Sequence, residues 1–515
     1  MFDFWQSFLN ALERILMLPS LIQSVFPSLT TRKRVRDVAH TYDRTMDDFL
    51  REVQKLFEAP LNPMSLLAMS GKLQEQFEQK LQASNICMLP SYNHTLPTGQ
   101  EQGTYLALDV GGSTFRIALV ELKGKDTDEK RMQIANMWSY RIDNSVRALP
   151  GHAFFDWMAQ KIEEAVADPQ VKKINETSTL PMGLAWSFPV QQTSIRTGIL
   201  LEMGKGFHAT EGTLGEDLSE LIMQPCRRRN LNVRMDSIVN DSSATLLSRA
   251  YEDNSTRLAL ILGTGTNASV HLPVSALAHS KFGKRPQSWH DKADHVVVNT
   301  ELSMFGKNVL PTTRWDDYLN ATHARPDFQP FEHLISGRYL GEIVRLILLD
   351  AVRTAGLFGG ELPENLSEPY SLDTGTIAII ELDESASLAQ ACMVFQTNHP
   401  LARPPTYSDL LFVRQISQLV SHRAAAYLAA GVHALWSLRA SSEGLSPASA
   451  GRVTIGCNGS VIEKYPYFKD LCQSYLDELT DLSGAEPHTV VLETAVEAAI
   501  FGAAVAVCCL EDQPE

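Results

Sequence analysis

The chain has 515 residues, 44% of them apolar, and its 60 acidic and 45 basic side chains leave a formal charge of −15. That length and apolar content support large cores in at least two domains, while the acidic balance excludes broad nucleic-acid binding, which needs a concentrated positive surface. Seven cysteines at irregular spacing point to reduced thiols in a cytoplasmic-type compartment, and no His/Cys cluster has the spacing of a metal site.

Residues 1–35 read as an arm. Phe2, Trp5, Phe8, Leu9, Leu12, Ile15 and Leu16 fall largely on one helical face, but Asp3 and Glu13 deny that helix a basic side. Two readings of residues 1–26 stay open: docking onto the chain's own fold or a partner, and peripheral membrane contact such as a mitochondrial surface. Neither a secretory signal nor a transmembrane helix is expected. The basic runs at 32–36 and 227–229 read as solvated faces. Residues 36–82, with periodic Leu and Phe, read as largely helical and are grouped with a first lobe, 36–236. A second lobe covers 237–510.

The run from Tyr105 to Leu122, YLALDVGGSTFRIALVEL, is an apolar strand interrupted by an acid and two glycines, then a second strand. Gly111 and Gly112 can take positive φ and expose N–H groups, Ser113 and Thr114 add hydroxyls, and Asp109 can hold a hydrated magnesium ion against a polyphosphate. An ordinary Gly-Gly hairpin is the alternative. LALILGTGTNASV, Leu258 to Val270, repeats the plan, which suggests a duplicated architecture with nucleotide between the halves.

Between these units lies IVNDSSATLLSRAYED, Ile238 to Asp253. Asn240 and Asp241 stand between an apolar strand and a helix whose buried face uses Leu246, Leu247 and Ala250. A carboxylate at that strand end can accept a proton from a hydroxyl attacking a phosphoryl group; the alternative is a helix cap. Segments 278–295 and 363–375 read as polar surface loops, the alanine-rich 423–438 as a buried helix, and the apolar 495–510 as a helix returning to the first lobe.

Several motifs in consistent order resemble the eukaryotic hexokinase family, from about residue 36 to 507. DVGGSTFR and GTGTNA are similar to its two phosphate motifs, GLAWSFPVQQTS and GKGF to its sugar-binding loops, and VNDSSAT to its catalytic segment. NTELSMFG and FEHLISGRYLGE resemble its two sugar-binding glutamate segments, and IGCNGS its adenosine segment. The resemblance implies an α/β, two-lobed, actin-like (ribonuclease H-like) sugar kinase fold with a cleft between lobes, and ATP and Mg2+ as cofactors.

It further implies Asp241 as the base, with Lys205 binding sugar and favouring the developing phosphoryl charge. Ser187, Asn240, Asn267, Glu301 and Glu332 would hold the remaining sugar hydroxyls. Asp109 would hold magnesium through water. Gly111, Gly112, Ser113, Thr114, Arg116, Gly263, Thr264, Gly265 and Thr266 would face the phosphates, and Gly456, Asn458, Gly459 and Ser460 the adenosine. Without that context the two glutamates would read as surface charges.

Departures from the family pattern are informative. Gly204 stands where Thr is usual, Leu302-Ser303 where Trp-Gly is usual, Ser113-Thr114 for Thr-Asn, Ala498-Ala499 for Gly-Ser, and Asn458 for Asp. Gly204 and Leu302 both suggest lost bulk beside the sugar. The implied substrate is therefore a hexose or N-acetylhexosamine, with N-acetylglucosamine, as in the fungal branch of N-acetylglucosamine kinases and atypical hexokinases, expected above glucose. A plain glucose, mannose or fructose kinase and a catalytically weak sugar sensor are the alternatives.

Overall fold

The computed structural model describes residues 42–125, 130–204 and 206–509. The amphipathic arm, Lys205 and the last six residues lie outside the described residues.

Among the described residues two large sheets share one plan. In the first, β2 (Gln102–Val110), β3 (Thr114–Lys123) and β4 (Met132–Arg141) form an antiparallel meander, and β5 (Leu180–Trp186) and β8 (Val233–Asn240) add in parallel, giving the order β4-β3-β2-β5-β8. In the second, β9 (Thr256–Leu262), β10 (Thr266–Pro273) and β11 (His295–Asn299) repeat the meander, and β12 (Val453–Asn458) and β13 (Val490–Thr494) repeat the parallel pair. The order β11-β10-β9-β12-β13, edged by β1 (Leu89–Pro90), matches the first sheet position for position. Both glycine turns thus occupy the same place, the first hairpin of each sheet. A ribbon of β6 (Val190–Gln192) and β7 (Gly198–Leu200) lies apart from them.

The central strands β2 and β5 of the first sheet are apolar on both faces because helices cover both. Leu106, Leu108 and Val110 join one core with α3 (Gly151–Val166) and α4 (Leu218–Arg228). Tyr105 and Ala107 join the opposite core with α5 (Asp241–Glu252) and the C-terminal helix α10 (Ala498–Cys508). Close backbone approach there depends on glycine: a Cβ on Gly183 would lie 2.0 Å from the Ala503 carbonyl oxygen, and one on Gly502 would lie 1.9 Å from that of Ala244. The C-terminal helix therefore packs on the first lobe.

Two assignments change. Residues 233–240 hydrogen-bond to β5, so the first lobe runs to 240 rather than 236. The helices α1 (Met46–Glu58) and α2 (Pro63–Ala83) belong to the second core, not the first. Their apolar stripe faces the long helix α8 (Tyr407–Ser442): Phe49 packs against Phe412 at 5.9 Å and against Trp315 at 6.2 Å between ring centroids.

The alanine-rich segment is part of that 36-residue helix, and small side chains let it run through the core. Beside it, the fully buried Arg423 donates to both carboxylate oxygens of Asp316 at 2.7 Å. Segments 278–295 and 363–375 are more than surface loops, because Phe282, Trp289, Leu366 and Leu372 are buried. Arg285 explains part of this, its guanidinium lying 4.2 Å from the ring centres of both Tyr92 and Trp289. All seven cysteines are free, and no helix among the described residues is long and apolar enough to cross a membrane.

Candidate active site

The strand ends β2, β5, β8, β10 and β11 bring the polar residues of the cleft together. Asn240 ends β8 and caps α5: its Oδ1 accepts from the Ser242 N–H at 2.9 Å and the Ser242 hydroxyl at 2.7 Å. The capping alternative thus holds for Asn240, whereas Asp241 is the first helical residue. Its Oδ1 accepts from the Ser242 N–H at 2.8 Å, and its Oδ2 accepts from the Ser187 hydroxyl at 3.1 Å. Ser187 follows β5 and is anchored by its own N–H on the Val110 carbonyl at 3.3 Å.

From the second sheet, Asn267 on β10 donates Nδ2 to Asn299 Oδ1 at 2.9 Å and lies 3.5 Å from Asn240 Oδ1. Asn299 in turn donates to Glu301 Oε1 at 2.8 Å. Asn299 is not among the expected site residues although it opens the NTELSMFG run, two places upstream of the glutamate. Glu301 has left-handed backbone, φ 54° and ψ 52°, a conformation non-glycine residues seldom hold without support. Burial pushes its carboxyl pKa up; the Asn299 bond opposes this, and the charge of Asp241 adds to it.

Glu332 lies in the first turn of α6 (Pro330–Ile335), where its Oε2 accepts the Thr266 N–H at 2.9 Å. That approach requires Gly265, because a Cβ there would come within 2.5 Å of Glu332 Oε2. Lys205, expected beside these groups, lies outside the described residues.

The phosphate turns close differently than expected. Gly111 and Gly112 do not adopt positive φ, and neither do Gly263 and Gly265. Close approach accounts for Gly265, as above, whereas a Cβ on Gly111 would meet only the Thr114 carbonyl oxygen at an ordinary 3.7 Å. The first turn is fastened by the Gly111 N–H donating to the Thr114 carbonyl at 3.1 Å and by Arg147, which donates to the Gly112 carbonyl at 2.9 Å. Ser113 adds its carbonyl as acceptor for the Ile142 N–H at 2.8 Å. In the second turn Thr264 is exposed, but the buried Thr266 hydroxyl donates inward to the Ile261 carbonyl at 3.0 Å. Thr266 therefore offers no hydroxyl to a phosphate.

Arg116, opposite Asp109 in the hairpin, donates Nε and Nη2 to Asp109 Oδ2 at 2.9 and 2.7 Å. Its third donor contacts Glu497, the residue before α10. Arg116 is thereby engaged by two carboxylates instead of standing open to phosphate. Glu497 and Arg147 were not anticipated: Glu497 sits inside the AVEAAIFGAA run, and Arg147 carries no local signal.

Both Arg116 donors converge on Oδ2, which leaves Asp109 Oδ1 for a water of a hydrated cation. Among the described residues no group of three His, Cys, Asp or Glu side chains could hold a metal directly.

At the adenosine end, Gly459 has φ 122°, and a Cβ there would strike the Leu262 carbonyl oxygen at 2.4 Å. This glycine lets β12 close on the second turn and places Ser460 beside Gly263, whose own Cβ would meet the Ser460 N at 3.4 Å. Gly456 lies elsewhere: it is buried inside β12, where a Cβ would meet Arg249 Cβ at 2.9 Å. It serves packing on α5. Asn458 donates to the Ala495 carbonyl at 3.0 Å.

Two family models described as hexokinase match residues 50–251 and 257–509. Hexokinase-2 of Oryza sativa subsp. japonica is 31% identical over 485 residues, covering 93% of this chain and 94% of its own. The chain belongs to the hexokinase family. The hexokinase of Kluyveromyces lactis is 30% identical over 431 residues, covering 82% of this chain and 84% of its own. A Schistosoma mansoni hexokinase solved in complex with glucose superposes with a TM-score of 0.74 at 27% identity, over 90% of this chain and 100% of that one. The two-lobed fold is that of a sugar kinase, and the chain is an ATP-dependent sugar kinase.

Within this hexokinase the two departures at Gly204 and Leu302 separate. A Cβ on Gly204 would meet nothing within 4 Å, so that position is open space. Leu302 is fully buried, and its Cδ1 would lie 3.9 Å from a Cβ on Gly431 of α8. Leu302 fills core and does not enlarge the cleft, which corrects the expectation that it removes bulk there.

Proposed function

We propose that this hexokinase transfers the γ-phosphoryl group of ATP to the 6-hydroxyl of a hexose, with Asp241 accepting the hydroxyl proton. The observation that carries the reading is the hydrogen-bonded series that runs from Ser187 and Asp241 through Ser242 and Asn240 to Asn267, Asn299 and Glu301, with Glu332 held beside it on the Thr266 N–H. Such fixed groups orient the attacking oxygen, and orientation supplies much of the barrier reduction in phosphoryl transfer.

Asp241 is aimed by the Ser187 hydroxyl and the Ser242 N–H, which hold its carboxylate where a sugar hydroxyl can donate to it. Glu301 and Glu332 accept from other sugar hydroxyls, and Asn267 and Asn299 keep Glu301 turned inward. Asp109 would hold magnesium through water, and the ion would neutralise charge on the phosphates. Exposed Thr264 receives the phosphates, while Arg116 positions Asp109. Lys205 is proposed as a further sugar and phosphoryl ligand.

Open space at Gly204 supports N-acetylglucosamine as a substrate; buried Leu302 lends the idea nothing and favours the reading in which glucose is also turned over. Pocket size alone discriminates by only about 1–3 kcal/mol per methylene-sized difference. Measurement of kcat/KM for N-acetylglucosamine, glucose, mannose and fructose tests this. N-acetylglucosamine should exceed glucose, and Gly204→Thr should shift the ratio toward glucose. A higher value for glucose that Gly204→Thr leaves unchanged would establish the plain hexokinase.

A further inference from the structure

A cavity of about 550 Å³ lies at the end of the second sheet remote from the phosphate turns. Arg257 is the second residue of β9, whose opposite end leads into Gly263, and His295 begins β11, whose opposite end is Asn299. The walls come from both lobes. Lys125 follows β3 of the first sheet, Arg257, His271 and His295 belong to the second, and Arg439 and Glu443 lie at the end of the long helix. Leu96 to Gln100, the crossing from β1 to β2, form the rim.

Charge in this cavity is unbalanced. Three permanent cations face one carboxylate in a chain whose formal charge is −15. Glu443 is already committed: its Oε1 contacts His295 Nε2 at 3.0 Å and Arg439 Nη2 at 3.3 Å. Arg257 is fixed by one nitrogen, which donates to the carbonyls of Asn254 at 2.6 Å and Thr256 at 2.8 Å. Arg439 is only 9% exposed, and its Nε is buried with no partner. His271 stacks on His295 at 5.0 Å; burial drives its pKa down to about 3, and the charges of Arg257 and Arg439 push the same way. It therefore adds a neutral ring. Burial pushes the Arg439 pKa down, the Glu443 charge opposes this, and the Arg257 charge adds to it.

We infer that this cavity is a binding site for a small phosphate-bearing anion, held by Lys125, Arg257 and Arg439 and coupled to the relative position of the two lobes. Guanidinium donors suit phosphate oxygens, and the volume accommodates a small phosphomonoester as well as free phosphate. Because Lys125 comes from one lobe and the two arginines from the other, an anion bridging them binds the two lobe arrangements unequally. By linkage, sugar binding then alters anion affinity.

Isothermal titration calorimetry of the full chain with inorganic phosphate, glycerol 3-phosphate and neutral glycerol tests this without turnover. Both phosphates should bind and glycerol should not; the double variant Lys125→Ala, Arg257→Gln should bind them at least ~10-fold more weakly, the lower range for a charge-assisted contact. Its melting temperature and its initial-rate turnover without added phosphate or glycerol 3-phosphate should stay near wild type. Equal affinities for the two phosphates assign recognition to the phosphate alone, and tighter glycerol 3-phosphate assigns part of it to the organic group. Saturating hexose should change the wild-type affinity at least about threefold. Undiminished binding in the folded double variant, or no binding to wild type, overturns the site; an affinity indifferent to hexose overturns the coupling.

Discussion

Gly265→Ala adds a single methyl where the second glycine turn meets Glu332, a proposed sugar ligand. The backbone at Gly265 does not have positive φ, so alanine is conformationally acceptable and the perturbation acts through its Cβ. That atom would lie 2.5 Å from Glu332 Oε2 and 3.2 Å from its carboxyl carbon. Contacts this short force Glu332 to move, breaking the 2.9 Å bond from the Thr266 N–H. A hydrogen bond to a charged group contributes about 1.5–3 kcal/mol, which corresponds to roughly 10- to 150-fold in kcat/KM. The loss should appear in coupled ATP-consumption assays as sugar is titrated. Gly71→Ala is the control, since its Cβ would meet nothing within 4 Å. A folded Gly265→Ala enzyme with kcat/KM within twofold of wild type refutes the role given to Glu332.

Burial raises the Glu381 pKa from 4.5 to about 7, against hydrogen bonds from Tyr465 and Ser421. The native state therefore keeps a proton that the unfolded chain loses, so this contribution is full below pH 4.5 and is lost as pH rises through about 7; it is on the order of 3 kcal/mol, and urea titrations of Glu381→Gln should lack the decline. Arg423→Met leaves Asp316 buried without its guanidinium and should cost about 3–5 kcal/mol in urea unfolding, whereas Arg423→Met combined with Asp316→Leu should recover most of it. Sugar should compact the protein in small-angle scattering, since Ser187 and Glu301 lie on different lobes; an unchanged profile at saturating sugar would contradict a two-lobed clamp.

The turns of the cleft were legible because their signals are local. An apolar run ending in Asp-Val-Gly-Gly, or Asn-Asp between a strand and a helix, marks a strand end wherever the chain goes. Less legible was anything decided by distant partners. The apolar stripe of residues 46–83 declares a buried helix face but not which sheet it covers, and only the complementary surface of α8 decides for the second core. Leu302 shows the same limit, because a substitution adjacent to a sugar-facing glutamate points the opposite way, into the core against Gly431. Thr266 and Arg116 belong to phosphate-like motifs, yet a carbonyl and two carboxylates claim their donors. Asn299 and Glu497 were missed because their importance lies in whom they hold.

Turnover of Asp241→Ala, measured beside its sugar affinity, tests the central claim most directly. General bases contribute typically ~10²–10⁴-fold, and the proposed sugar ligands Asn267, Glu301 and Glu332 survive the substitution. The variant should lose at least ~10²-fold in kcat while still binding sugar measurably. Turnover like that of wild type would remove Asp241 from the proton transfer and contradict the mechanism.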